Sequence, residues 1–184
     1  LVIADEVQSG IGRTGTLFAY ETSGIRPDII AVAKGLGGGF PVGAVIASAE
    51  VGNAMTPGTH GSTFAGNPLA MAVAEAVLDA LTADGFLDDV KRRAALLEAA
   101  LQKIADRDPD RIVEIRGRGF LRGVRLAPPF DAGAIVAQMR DHHLLTAPAG
   151  ENTVRFLPPL IISEDEIARA ADIFAAVLAA ATPA

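Results

Sequence analysis

Ile29-Ile30-Ala31-Val32-Ala33-Lys34-Gly35-Leu36-Gly37-Gly38-Gly39 sets five apolar residues, a lone lysine and a glycine-rich turn in immediate succession. A short run rich in Ile and Val that stops at glycines reads as a buried strand of a parallel sheet. Leu1-Val2-Ile3-Ala4 is a second such run, and its separation from the first matches a βαβ unit of about 30 residues. Between them lie a glycine-rich loop and Leu17 to Ser23, long enough for about two helical turns. Val42 to Ala47 reads as a third strand, entered through Gly37-Gly38-Gly39 and Pro41.

Further along, the texture changes. Thr56 to Gly66 is polar and irregular and ends at Asn67-Pro68, an N-cap followed by proline at the first helical position. The helix begun there is expected to run to Ala83, where Asp84-Gly85 stops it, and an amphipathic helix follows from Phe86 to Ala105. Ile112 to Ile115 and Phe120 to Leu126 read as strands, Ala132 to His142 as helix and Val154 to Leu157 as a strand halted by Pro158-Pro159. Ser163 and Glu166 have capping-box spacing and open a last helix reaching Ala181. The order is β/α alternation followed by a mixed α+β tail, so the fold class is α/β, divided into residues 1–83 and 84–184.

Composition removes several functions. At 184 residues, half of them hydrophobic, the chain has material for a core in one or at most two domains. Its longest apolar runs, such as Ile173 to Ala181, fall far short of the ~20 residues of a membrane span. A net charge of −6 argues against nucleic acid and anionic membrane as partners. Without cysteine there is no disulfide or thiolate metal site, and the histidines lack ligand spacing, so no metal is expected. The missing thiols and leader fit a cytoplasmic protein. A strand with nothing before it is an odd opening, and the chain is expected to be part of a longer one.

Four features carry chemistry. Gly10-Ile11-Gly12-Arg13-Thr14-Gly15 fits the dinucleotide fingerprint, but the five residues Asp5 to Ser9 separate it from the strand, and two of them are acidic. Pyrophosphate needs the glycines at the strand end, against a helix N-terminus, and carboxylates there would repel it. The second feature is Asp5 with Lys34, both at carboxyl ends of expected parallel strands, where open α/β sheets place ligands. Only three lysines stand beside 13 arginines, and Lys34 alone is expected to be partly desolvated, the condition for a nucleophilic amine in Schiff-base chemistry. A carboxylate on the adjacent strand could then keep a pyridinium nitrogen protonated; a structural Lys–Asp ion pair is the alternative.

Gly58 to Asn67 offers hydroxyls and free N–H groups before a helix, either a phosphate site or an ordinary capped loop. The fourth feature is arginine. The run Arg116 to Arg125 lacks aromatic stacking partners and reads as a solvated strand face, whereas Arg155 alternates with apolar neighbours. If it faces inward it needs an anion, for which a carboxylate matches the guanidinium fork; otherwise it is exposed.

Together, Asp5-Glu6-Val7-Gln8, Gly10 to Gly15, Ala33 to Gly39, His60-Gly61-Ser62-Thr63-Phe64 and Arg155-Phe156-Leu157-Pro158-Pro159 resemble, in order and spacing, the class III (fold type I) pyridoxal-phosphate aminotransferases. The resemblance spans essentially the whole chain. It implies the C-terminal part of a large cofactor-binding domain, a mostly parallel sheet with flanking helices, plus a smaller α+β domain. It implies that Lys34 and Asp5 are catalytic, Lys34 carrying pyridoxal 5′-phosphate and Asp5 pairing with its ring nitrogen. Val7 would pack on the ring, Gln8 lie at its 3′-oxygen side and Thr63 bind the phosphate. Ser62 and Arg155 would touch substrate, Arg155 through a carboxylate. The Thr63 loop would serve the neighbouring subunit of a homodimer. The implied reaction moves the terminal amino group of N-acetylornithine to 2-oxoglutarate, a step of arginine biosynthesis. Ornithine, succinylornithine and 4-aminobutyrate are rival donors, and a non-catalytic fragment is a further alternative. Half of the phosphate cup would lie upstream of Leu1. One departure is Ala65, where the family usually has glycine, which would matter if that backbone required positive φ.

Overall fold

A computed structural model describes residues 1–182. The chain forms two compact units, Leu1–Asp88 and Asp89–Ala184. In the first, strands β1 (Ile3–Asp5), β2 (Ile29–Val32) and β3 (Ala44–Ala47) form a sheet in that order. β1 runs parallel to β2, with Asp5 opposite Ala31, and β3 runs antiparallel, with Ala44 opposite Val32. The connection from β1 to β2 holds only a 3-10 turn, Ala19–Ser23, and a second such turn, Lys34–Gly37, follows β2. Helix α1 (Ala49–Gly52) is a single turn capped by Ser48, and α2 (Pro68–Thr82) starts as expected, Asn67 Oδ1 accepting from the Ala70 N–H at 2.9 Å.

The expectation of uniformly buried strands fails at the sheet's edges. Ile30 and Val32 of β2 are buried, but Ile3 of β1 and Val45 and Ile46 of β3 are exposed. β2 is the interior strand of this sheet, between β1 and β3.

The second unit begins within α3 (Phe86–Arg107), whose Val90, Ala94, Leu97, Leu101 and Ile104 recur at steps of four and three and are all buried. That is the apolar stripe of an amphipathic helix. Strands β4 (Ile112–Arg118), β5 (Leu121–Leu126), β6 (Ala147–Ala149) and β7 (Thr153–Phe156) make an antiparallel sheet ordered β4-β5-β7-β6. Helices α4 (Ala132–Asp141) and α5 (Glu164–Ala180) complete the unit. Phe120, Val124, Val154 and Phe174 have no exposed surface, and Phe156 meets Phe174 edge-on, ring centres 5.4 Å apart. Each such side chain contributes about 1.5–3 kcal/mol by leaving water.

β6 was absent from the sequence expectations because Pro148 sits at its centre. The strand lies at the sheet edge, where the missing N–H costs no ladder bond. The arginine run also departs from its expected solvated face. Arg122 is buried, and its Nη1 and Nη2 donate to both carboxylate oxygens of Glu98 on α3 while Nε and Nη1 donate to the carbonyls of Gly119 and Gly117. Arg116 reaches Glu151 in the β6–β7 turn and holds that carboxyl below its usual range.

α5 opens on the capping box the sequence announced: Ser163 Oγ accepts from the Glu166 N–H, and Glu166 Oε2 accepts from the Ser163 N–H. The Ser163 N–H and hydroxyl both donate to Glu166 Oε2 and stabilise its charged form, so the folded Glu166 pKa lies below its ordinary value. A lowered folded pKa gives stability that is present above the unfolded pKa and disappears as pH falls through the folded one. Ser163→Ala is therefore expected to cost about 1 kcal/mol in urea unfolding at neutral pH. Glu166→Gln should lower the urea midpoint at neutral pH and match wild type in acid; an equal deficit at both pH values would contradict the assignment.

Candidate functional site

Because β1 and β2 are parallel, both release the chain at the same end of the sheet. The Glu6 N–H continues the ladder one residue beyond the strand, donating to the Ala31 carbonyl at 2.8 Å. Asp5 sits at that exit, one carboxylate oxygen accepting from the Val7 N–H at 3.1 Å. From the other strand, Lys34 enters its turn with φ +45, and its Nζ donates to Gln8 Oε1 at 2.6 Å. Asp5, Val7, Gln8 and Lys34 thus converge on one sheet end, where ligands of open α/β sheets bind.

Lys34 is exposed, not desolvated as the sequence suggested. It stands on a turn that no described residue roofs over. The alternative of a direct ion pair with Asp5 is also absent among the described residues, since the ammonium is engaged by the neutral Gln8 amide instead.

The glycine-rich loop is a structural brace for this exit. Gly10 donates to the Glu6 carbonyl at 2.9 Å, and a Cβ at Gly10 would lie 2.8 Å from that oxygen. Ile11 is buried with φ +57, a left-handed conformation rare for a β-branched residue and costing on the order of 1–3 kcal/mol. Its side chain rests on Gly35, where an added Cβ would come within 3.1 Å of Ile11 Cβ. Half-buried Arg13 has its guanidinium pKa lowered by desolvation. The loop leads into the 3-10 turn Ala19–Ser23.

Ser62, Thr63 and Phe64 lie in an exposed loop before α2, tied at its end by Asn67 Nδ2 donating to the Phe64 carbonyl at 2.9 Å. Ala65 is not among the residues of positive φ; Gly66, with φ +67, takes that conformation, so Ala65 introduces no left-handed strain. His60 lies in the same exposed loop. No cluster of three metal-ligating side chains occurs among the described residues.

Arg155 belongs to the second unit. It is half-buried on β7, flanked across the sheet by Gly123 of β5 and Ala147 of β6, and its buried Nε has no hydrogen-bond partner. A buried guanidinium N–H left open is costly, and a carboxylate is the ligand that closes it best. Sequence reasoning gave no role to Glu6, which is 3% exposed. An acidic residue immediately after a strand-end Asp was the available signal, but nothing local distinguishes a buried carboxylate from a solvated one.

The aminotransferase class-III family matches residues 1–178. The acetylornithine aminotransferase of Mesorhizobium japonicum is 54% identical over 167 residues, 91% of this chain and 41% of that protein. Among solved structures, the acetylornithine aminotransferase of Elizabethkingia anophelis superposes with a TM-score of 0.87 at 35% identity, over 96% of this chain and 45% of that one. The ornithine aminotransferase of Toxoplasma gondii, in which pyridoxal phosphate partially occupies the active site, gives 0.88 at 36% identity, over 96% and 42%. The chain therefore spans about two fifths of the length of the curated relatives it matches.

Gly10→Ala drives a methyl group against the Glu6 backbone, a contact that no side-chain rotation relieves. It is expected to cost about 1–3 kcal/mol, read as a lowered thermal midpoint. Gly24→Ala, whose Cβ would meet nothing within 4 Å but sits at φ +68, should cost less. Equal midpoints for the Gly10 variant and wild type would refute the brace.

Proposed function

This chain belongs to the class-III aminotransferase family, and on that premise we propose that its whole protein converts N-acetylornithine and 2-oxoglutarate to N-acetylglutamate semialdehyde and glutamate, using pyridoxal phosphate. The observation that carries the reading is the Lys34–Gln8 contact at the shared exit of β1 and β2, with Asp5 beside it. A strand-end amine and an adjacent carboxylate are donors that this cofactor requires, and in the second unit an arginine with an open donor suits a dicarboxylate acceptor. Identity of 51–54% to acetylornithine aminotransferases supports the donor. Free ornithine is the second reading, supported by the ornithine aminotransferases among the structural neighbours.

Held by Lys34, pyridoxal phosphate would supply an electron sink for loss of a proton from the carbon that bears the transferred amine. The residues of the chain do the rest. Lys34 Nζ takes and returns that proton, and Gln8 Oε1 holds the amine in place from its 2.6 Å contact. Asp5, at the strand exit, would pair with a ring nitrogen of the cofactor and favour its protonated form. Val7 gives the ring an apolar wall. Thr63 donates its hydroxyl to phosphate in the partner subunit's site, which its exposure on the loop allows, and Ser62 lies beside the acyl group of the donor. Arg155 grips a substrate carboxylate through its open fork. A homodimer in the cytoplasm suits a two-subunit phosphate site and a chain without cysteine. No described helix is long and apolar enough to cross a membrane.

In the whole protein, Lys34→Ala should abolish the visible absorbance of the bound cofactor, and borohydride should fix the cofactor to Lys34. Attachment at Lys91 or Lys103 would overturn the site. Arg155→Met should raise KM for 2-oxoglutarate by roughly 10²-fold, about 2.7 kcal/mol of lost carboxylate binding. An unchanged KM would place the acceptor carboxylate elsewhere. Parallel assays with N-acetylornithine and ornithine decide the donor.

A further inference from the structure

The proposed reaction makes no use of Glu6, yet this carboxylate is the most completely enclosed acidic group of the first unit. Its Oε2 accepts from the Ser9 hydroxyl at 2.7 Å and its Oε1 from the Tyr20 N–H at 2.8 Å. One oxygen therefore holds the start of the glycine-rich loop, and the other holds the 3-10 turn at the loop's far end, 14 residues on. Its own N–H and carbonyl are fixed by Ala31 and Gly10. Gln8, whose amide receives Lys34 Nζ, lies between Glu6 and the anchored Ser9, and the loop presents Ile11 to Gly35, the residue after Lys34. Ile11 and Lys34 both hold left-handed conformations and therefore need a surround that keeps them there.

We propose that Glu6 is a positioning residue of the reaction: its buried carboxylate clamps both ends of the loop that follows Gln8 and packs Ile11 on the Lys34 turn, and so aims Gln8 at Lys34. Glu6 touches neither substrate nor cofactor and works through Gln8, Ile11 and Gly35. The role rests on hydrogen-bond acceptance rather than on charge. A glutamine at this position keeps an oxygen for the Tyr20 N–H, and its NH2 donates to a Ser9 hydroxyl that rotates to accept. Alanine removes both anchors. The inference rests on the function proposed above, and its test separates the two.

The experiment uses the whole enzyme loaded with pyridoxal phosphate, comparing wild type, Glu6→Ala, Glu6→Gln and Ser9→Ala at equal cofactor content. Visible circular dichroism of the bound cofactor, recorded without substrate, reports how the ring and Lys34 are oriented. Glu6→Ala is expected to change that band and to lower kcat about tenfold with KM for the amino donor within about threefold, the pattern of a misaimed group rather than lost binding. Glu6→Gln should restore the band and bring kcat to within about threefold of wild type. Should Glu6→Ala not fold, Ser9→Ala keeps the carboxylate, removes one anchor and should lower kcat about threefold with an altered band. A holoenzyme of Glu6→Ala or Ser9→Ala with the wild-type band and kcat would overturn the positioning role. A wild-type enzyme with no cofactor on Lys34 would instead overturn the function itself.

Discussion

The parallel register of β1 on β2 is the constraint on which the site depends. With Asp5 opposite Ala31 and the Glu6 N–H on the Ala31 carbonyl, two chain segments leave the sheet side by side at the same end. One supplies Asp5, Val7 and Gln8 and the other Lys34, so a contact across 26 residues of sequence becomes a 2.6 Å hydrogen bond. An antiparallel pairing would have sent the two exits to opposite ends of the sheet. β3 illustrates the difference: it returns antiparallel with Ala44 beside Val32, and the chain between them is the glycine-rich turn that starts at Lys34.

Much of this was legible in the residues. The apolar runs located β1, β2 and β3, and the caps at Asn67 and Ser163 placed α2 and α5 to within a residue at their starts. The stripe on α3 was read correctly because helical spacing is a local property of the sequence. What escaped has a common cause: it depends on partners distant in sequence. β6 has no apolar run of its own and exists because Ala147 and Ala149 find Arg155 and Thr153. Arg122 looked like any strand arginine, and only the position of α3 supplies Glu98 to bury it. Ile3 and Val45 are exposed in a chain that spans about two fifths of its relatives' length, and an apolar run does not announce which other segment packs on it.

The candidate site divides along the same line. The identity and order of Asp5, Gln8, Lys34 and Thr63 could be read as a pattern, whereas the exposed state of Lys34 and the enclosure of Glu6 could not. Desolvation of a lysine depends on what roofs it, and a strand-end position fixes only where the backbone goes. Glu6 is hidden because a serine and a backbone N–H, both electrically neutral, satisfy it. No cation in the sequence marks the place.

Two arginines of the second sheet show why an unsatisfied group carries more weight than a conspicuous one. Arg122 and Arg155 lie on neighbouring antiparallel strands, at Arg122–Phe156 and Gly123–Arg155 of one register. Arg122 engages Nε, Nη1 and Nη2 with two carbonyls and a bidentate carboxylate, four hydrogen bonds made within the protein. Arg155 sits between a glycine and an alanine, neither of which has a side chain that can accept, and its Nε stays buried and open. A lone buried donor costs about 1–3 kcal/mol. The Nε of Arg93 is buried and open as well, but its Nη1 and Nη2 reach the Ile162 carbonyl and Asp89. An open Nε of this kind is a donor that a carboxylate would close.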